Sequence, residues 1–187
     1  MRLFEEIPYL NNGHIHLREL SEQDADDVRL ITENPGVYRY LPAFLFERKY
    51  PDQREMIRRI KTECFDTKES ILLGICEEDD RVIGIAEIYN YEEEKCKASI
   101  GYRLNEDFWG RGIATETAGM LRDYLVWKTD VRKVTAHVMA ENRSSGKVLE
   151  KNGFVCEWPD LQEDWGHGYP VCVDKYIYRF REAADEV

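Results

Sequence analysis

Phe108-Trp109-Gly110-Arg111-Gly112-Ile113-Ala114-Thr115-Glu116 joins a strand-like segment to an amphipathic helix through two glycines set one residue apart. This junction constrains the chain more than any other stretch. The first turn of a helix carries backbone N–H groups without intrahelical partners, and the helix dipole makes that end positive. Gly110 and Gly112 tolerate left-handed backbone angles and keep side chains out of the way of an approaching group. Such a loop is a ready seat for a phosphate or pyrophosphate. Glycines before a helix also make plain tight turns, so the flanking elements decide between the two readings.

Ahead of the loop, His14 to Leu20 alternates apolar and polar residues as a first strand. Ser21 is placed as the N-cap of a helix that carries Val28 and Ile31 and ends at Asn34-Pro35-Gly36. A second helix is expected from Asp52, with Met56, Ile57, Ile60 and Cys64 on one face. Three strands follow at short intervals, Ile71 to Cys76, Val82 to Tyr89 and Lys95 to Leu104, separated by acidic turns. Their close spacing argues for antiparallel pairing. After the loop, the helix from Ile113 to about Trp127 separates the third of these strands from Val131 to Met139. Those two strands are therefore expected to be parallel. A short helix from Asn142 ends before Gly153, and strands at Phe154 to Glu157 and Tyr169 to Phe180 finish the chain. The pattern predicts an α+β fold: one domain over residues 1–187, with a mixed, mostly antiparallel sheet and helices on both faces.

A P-loop needs Lys and Ser/Thr after its last glycine, but Ile113-Ala114 follows Gly112. A dinucleotide fingerprint needs a third glycine and a parallel strand before it, and neither is present. What remains is a pyrophosphate seat with the rest of the ligand lying along the end of the sheet. The net charge of −11 and pI of about 4.9 argue against a nucleic-acid partner and suit a cationic substrate such as an amine. Five dispersed cysteines, without a C-x-x-C pair, read as reduced residues of a cytoplasmic protein. No apolar run is long enough to span a membrane, and the acidic start is unlike a signal peptide.

Several further segments fall in a recognisable order: His16-Leu17-Arg18-Glu19-Leu20 with Asp24-Ala25, Val37-Tyr38-Arg39-Tyr40-Leu41, Ile100-Gly101-Tyr102-Arg103-Leu104, the loop itself, Asn142-Arg143-Ser144-Ser145, and Leu149-Glu150-Lys151-Asn152-Gly153-Phe154. Together they resemble the GNAT superfamily of acetyl-coenzyme A-dependent N-acetyltransferases, and within it the branch of the ribosomal-protein N-terminal acetyltransferases. The superfamily pyrophosphate motif reads Gln/Arg-x-x-Gly-x-Gly/Ala; Trp109 stands at the Gln/Arg place, as is usual in that branch. The resemblance implies a splayed parallel strand pair that forms the coenzyme A cleft. In it the pantetheine arm adds to the exposed backbone of Tyr102, Arg103 and Leu104. The pyrophosphate sits on Trp109, Gly110, Arg111, Gly112, Ile113, Ala114 and Thr115, and Asn142 hydrogen-bonds the arm.

The implied reaction is direct attack of a primary amine, a protein N-terminus or a small molecule, on the acetyl thioester. An α-amine has a pKa of about 7.7–8.0 against ~10.4 for a lysine-type amine, so an enzyme without a strong base suits N-termini better. Leu149 occupies the place where many relatives carry a tyrosine acid. The branch resembled points instead to Ser145 as the acid that protonates the leaving thiolate, and loosely to Asp164 as a base; Glu87 is a second carboxylate candidate. Structural alternatives stand beside each assignment. Asn142 and Ser145 also read as a helix cap and its first turn, Glu87 and Asp164 as solvated surface acids, and Trp158, Trp165 and Tyr169 as core or interface residues. The four histidines lack metal-ligand spacing, so no metal is expected. The acceptor is expected near Tyr38–Phe46 and Asp160–Tyr169, in a monomer or homodimer. A non-catalytic coenzyme A-binding or sensing module of the same fold is the alternative function.

Overall fold

The computed structural model describes residues 1–180, so residues 181–187 of the single domain expected over 1–187 lie outside the described part. Eight strands form one sheet in the order β1-β2-β3-β4-β5-β6-β8-β7. They are β1 (Leu10–Asn11), β2 (His16–Arg18), β3 (Ser70–Cys76), β4 (Val82–Glu92), β5 (Lys97–Leu104), β6 (Lys133–Met139), β7 (Val155–Asp164) and β8 (Pro170–Arg179). Every neighbouring pair is antiparallel except β5 and β6, which are parallel. The parallel pair arises as expected, because a helix rather than a turn connects these strands.

Five helices pack on the sheet: α1 (Ala25–Thr32), α2 (Pro35–Tyr38), α3 (Gln53–Ile60), α4 (Ile113–Lys128) and α5 (Arg143–Lys151). They divide between the two faces, and the period-2 alternation of the strands follows them. Ile71, Leu73, Ala86, Ile88, Ala98 and Ile100 pack with Leu121 and Leu125 of α4 and Leu149 of α5. On the other face Leu72, Cys76 and Ile85 meet Val28 and Ile31 of α1 and Met56, Ile57 and Ile60 of α3. The α+β fold with helices on both faces is therefore the one the sequence pattern predicts.

Local chemistry sets the boundaries. Asp52 caps α3 by accepting from Arg54 N–H at 2.8 Å. Asn34-Pro35-Gly36 ends α1 and also starts a new turn, since the Asn34 side chain accepts from Gly36 N–H at 2.9 Å and Pro35 opens α2. β7 runs well past the expected end at Glu157, through Trp158-Pro159-Asp160, with two register shifts. Proline is tolerated there because β7 is an edge strand and bulges absorb the misfit. This extension carries Glu163 and Asp164 to the site described below.

Gly84 leaves no room for a side chain between β4 and β5. A Cβ there would lie 2.5 Å from the Arg103 carbonyl oxygen and 2.6 Å from Leu104 Cδ2. Gly84→Ala should therefore cost about 1–3 kcal/mol through overpacking. The effect will read as a lower denaturation midpoint at unchanged m-value; a parental midpoint would contradict the close approach.

Candidate active site

The parallel pair ends early. β5 and β6 are in register at Lys97↔Lys133, Ala98↔Val134 and Ser99↔Thr135, and no further. Ser99 Oγ and Thr135 Oγ1 close this last position with a buried hydrogen bond of 2.8 Å. Beyond it β5 remains paired with β4 as far as Leu104, and β6 with β8 as far as Met139. The strands part without either losing its outer partner.

The orientation of the backbone groups in this gap follows from two hydrogen bonds. Asn105 N–H donates to Ile83 O on β4, while the Cys96 carbonyl accepts from Lys133 N–H at the start of β6. Strand alternation then turns the N–H and C=O of Gly101 and Arg103 toward β4, and those of Ile100, Tyr102 and Leu104 into the gap. Buried backbone groups need partners, so an extended chain can add to this edge. Arg103 thus contributes no backbone group to the gap, contrary to its expected place beside Tyr102 and Leu104. The Leu104 carbonyl is already in use, accepting from Trp109 Nε1 at 2.9 Å. Trp109 therefore fastens the glycine loop to the end of β5.

Gly110 and Gly112 adopt φ of 74° and 82°, and a Cβ at either would meet nothing within 4 Å. The α4 N-terminus begins at Ile113 without a side-chain cap. The N–H groups of Ile113, Ala114 and Thr115 thus open the helix in the manner that holds anions, an effect worth ~0.3–1 kcal/mol at an exposed site. Glu116, the acidic residue of that turn, is drawn aside by Asn12 Nδ2 at 2.7 Å and His14 Nδ1 at 3.0 Å. Arg111 stacks on Phe108 at 5.0 Å and remains exposed beside the loop.

α5 begins beside the gap, with Asn142 and Ser145 lining the cavity there. Asn142 Oδ1 accepts from Ser145 N–H at 3.3 Å, so Asn142 does cap α5, and its amide NH2 is left for another acceptor. Tyr102 Oη and Ser145 Oγ lie 2.9 Å apart. Burial pushes the Tyr102 phenol up, against the effect of the Ser145 bond, so Tyr102 keeps its proton and can donate to Ser145. The Ser145 O–H is then free to donate elsewhere.

A cavity of about 740 Å³ runs through the gap, from Tyr102, Asn142 and Ser145 on the α5 face to Glu87, His137 and Glu163 on the other. Gly101 presents no side chain on its floor, where Glu87 faces inward. Glu87 is not the solvated surface acid expected from sequence. Arg103, across β5, donates to Glu87 Oε2 at 2.8 Å and to Glu47 Oε2 at 2.6 Å, and Tyr38 Oη donates to the other Glu47 oxygen at 3.0 Å. Side-chain exposure is 3% for Arg103, 0% for Glu47 and 12% for Glu87. Burial raises the pKa of Glu87 while Arg103 opposes the rise. Burial also works against the Arg103 charge, but Glu47 and Glu87 hold the guanidinium firmly protonated. Nothing in the sequence spacing of Tyr38, Glu47, Glu87 and Arg103 points to this cluster, because it joins α2 and a loop to two strands.

Two loops form the outer wall. Ala43 N–H donates to Trp165 O at 2.8 Å, and His167 Nε2 contacts Leu41 O at 3.0 Å. The regions expected to meet the acceptor are thereby joined over the cavity. Trp165 lines it, whereas Trp158 and Tyr169 are exposed. Asp164 is also exposed, and its carboxylate accepts from Gly166 N–H at 2.8 Å. Its neighbour Glu163 faces inward and contacts His137 Nδ1 at 2.8 Å. The histidines of the sequence lack metal-ligand spacing; the alternation of β6, which sets His137 on the face of Thr135, is its one local signal. For a metal, the one group of three potential ligands among the described residues is His16, Cys76 and Asp80. Arg18 Nε already donates to Asp80 there at 2.7 Å, which makes this an ion-pair cluster.

Comparison with known proteins agrees with this architecture. The acetyltransferase (GNAT) domain family matches residues 14–155. The chain is similar to the N-acetyltransferase p20 of Bacillus licheniformis, itself uncharacterized, at 28% identity over 90% of this chain and 93% of that one. Among solved structures, it is similar in fold to the ribosomal L7/L12 α-N-protein acetyltransferase RimL in complex with coenzyme A. There the TM-score is 0.78 at 18% identity, covering 92% of this chain and 98% of that one. A spermidine N-acetyltransferase from Vibrio cholerae, in complex with coenzyme A and spermine, aligns with a TM-score of 0.74 at 19% identity over 90% and 96% of the two chains. The chain belongs to the GNAT family of acetyltransferases, with acetyl-coenzyme A as the acetyl donor.

Proposed function

We propose that this N-acetyltransferase acts on a small primary amine that enters as a cation, with the acceptor on one side of the β5–β6 gap and the donor thioester within it. The observation that carries this reading is the charge of the cavity. Glu63, Glu69, Glu87, Glu163 and Asp164 line it. Its cations are already engaged, Arg103 by Glu47 and Glu87, and Lys49 by Glu63 at 2.8 Å. A concave surface of one sign concentrates an oppositely charged ligand. Glu87 and Asp164 act here by drawing in the ammonium group. The spermine seated in the similar Vibrio cholerae enzyme is consistent with such an acceptor.

On the donor side, the pantetheine arm adds to the free N–H and C=O of Tyr102 and the N–H of Leu104. The pyrophosphate rests on Gly110, Arg111, Gly112, Ile113, Ala114 and Thr115 with Trp109 bracing the loop, and the Asn142 amide donates to the arm. The fit is supported by the unpaired strand edge, the open glycines and the uncapped α4 terminus. Coenzyme A supplies the activated acetyl group; the protein supplies position and polarisation, and approximation alone contributes as much as about 7–11 kcal/mol. Ser145, fed by Tyr102, donates a proton to the departing sulfur. A cytoplasmic location is supported by five free cysteines, and among the described residues no helix is long and apolar enough to cross a membrane.

Thiol release from acetyl-coenzyme A should depend on the amine supplied, with cationic diamines and polyamines turned over at lower KM than neutral or N-terminal peptide amines, and with KM rising as ionic strength rises. Tight coenzyme A binding without release for any amine would favour the non-catalytic module instead. Glu87→Gln should raise the KM for a polyamine several-fold and leave the coenzyme A Kd unchanged. Ser145→Ala should lower kcat by about 10²-fold with little change in that Kd; parental kinetics would remove Ser145 from the mechanism. Asn142→Ala should weaken coenzyme A binding by about 1 kcal/mol, the worth of one hydrogen bond, and lower the melting temperature through the lost α5 cap.

A further inference from the structure

We infer that His137 takes the proton from the attacking amine and that Glu163, fixed by Trp165, is the residue that positions it. This rests on the acetyl transfer proposed above and adds the group that reading lacks.

His137 is the second residue of β6 after the last paired position, Ser99↔Thr135. Alternation puts its side chain on the same face as the Ser99–Thr135 hydrogen bond, where the acidic cavity lies. Tyr102 and Ser145 approach the gap from the other face, on which Tyr102 packs with the α4 and α5 core. The gap is thus flanked by an ionisable group on the acceptor side and a hydroxyl pair on the donor side. Those are the two places where acetyl transfer moves a proton.

The contacts of His137 fix its tautomer. Nδ1 lies 2.8 Å from Glu163 Oε1, so Nδ1 carries the hydrogen and donates it to the carboxylate. Nε2 then bears the lone pair, and it has no hydrogen-bond partner among the described residues. The other Glu163 oxygen accepts from Trp165 Nε1 at 2.8 Å. Trp165 is itself buried against Val171 and Val173. A histidine backed by an anchored carboxylate is the arrangement of an oriented general base. The other carboxylates are committed elsewhere, Glu87 to Arg103 and Asp164 to the Gly166 N–H.

The charged groups that act on His137 are Glu163 from β7, Lys175 from β8 and Lys97 from β5, while Glu87 of β4 shares the cavity. Burial lowers the imidazole pKa and the two lysines add to the fall; Glu163 opposes it. His137 is accordingly neutral near pH 7 and able to accept. In the reaction the entering ammonium first gives one proton through His137 Nε2 to solvent, and the neutral amine nitrogen then forms a bond to the thioester carbonyl carbon as the C–S bond breaks. Its N–H proton passes to His137 Nε2 and on to solvent. Sulfur keeps its electron pair and takes the Ser145 hydroxyl proton, which solvent restores. The sum, from ammonium and thioester, is amide, free thiol and one proton released to solvent, with the protein unchanged.

The test compares the parent with His137→Gln, His137→Ala and Glu163→Gln by thiol release across pH, using spermidine as the acceptor and calorimetry for coenzyme A. His137→Gln should lose about 10²-fold in kcat while the coenzyme A Kd stays at the parental value. The acidic limb of the kcat/KM profile, where activity rises as His137 deprotonates, should vanish in it. Added imidazole should restore part of the activity of His137→Ala. Glu163→Gln should keep the limb but move it to lower pH, because the charge that favoured the imidazolium is gone; a merely structural Glu163 would leave the limb in place. Parental kcat and pH profile in His137→Gln overturn the inference alone. If His137→Gln does not fold, an unmoved limb in Glu163→Gln overturns it equally. A parent that releases no thiol with any amine overturns the proposed function, and this inference with it.

Discussion

The structure depends on where β5 and β6 stop pairing. One side-chain hydrogen bond, Ser99 to Thr135, closes the last shared position. Past it the two strands separate, yet each stays in a ladder on its outer side, β5 with β4 and β6 with β8. A single sheet can therefore hold an open slot at its centre without exposing a free strand. The slot is bounded by backbone groups that want partners, and α4 and α5 both begin at its edge. The proposed cofactor seat follows from this one constraint: an extended arm would replace the missing ladder, and an anion would meet the uncapped helix.

The same slot separates two electrostatic environments. On the face with α4 and α5 the polar groups are neutral, a tyrosine, a serine and an asparagine amide. On the other face the cavity collects carboxylates around the Arg103 guanidinium, which is buried between Glu47 and Glu87. Removing one partner of such a pair costs ~3–5 kcal/mol, since the remaining charge stays buried. The cluster thus ties the loop carrying Glu47 to β4 and β5 and, together with the bond from Ala43 to Trp165, holds the acceptor wall in place. Glu87 thus belongs both to this structural cluster and to the proposed acceptor site.

The sheet, its parallel pair and the helix faces were legible because periodicity and connection length report them directly. The glycine loop was legible because its residues are contiguous. Strand ends were less so: Pro159 reads as a breaker, and only the edge position of β7 explains why the strand runs on to Asp164. Side-chain partnerships across the fold left almost no local trace. Glu87 looks like any strand-borne acid until Arg103 and Glu47 are brought to it. The inward carboxylate of the Glu163-Asp164 pair depends on the register of a bulged strand. His137 carried only the alternation of β6, which says which way it points but not that Glu163 and Trp165 await it.

Hydrogen–deuterium exchange in the presence and absence of coenzyme A tests the central claim, that the β5–β6 gap and the α4 terminus form one cofactor seat. Coenzyme A should slow exchange at the Tyr102 and Leu104 amides and at Gly112 to Thr115, while the amides of Gly101 and Arg103, already turned toward β4, should hardly change. Binding without added protection at Tyr102 and Leu104, or protection centred on another part of the sheet, would contradict it.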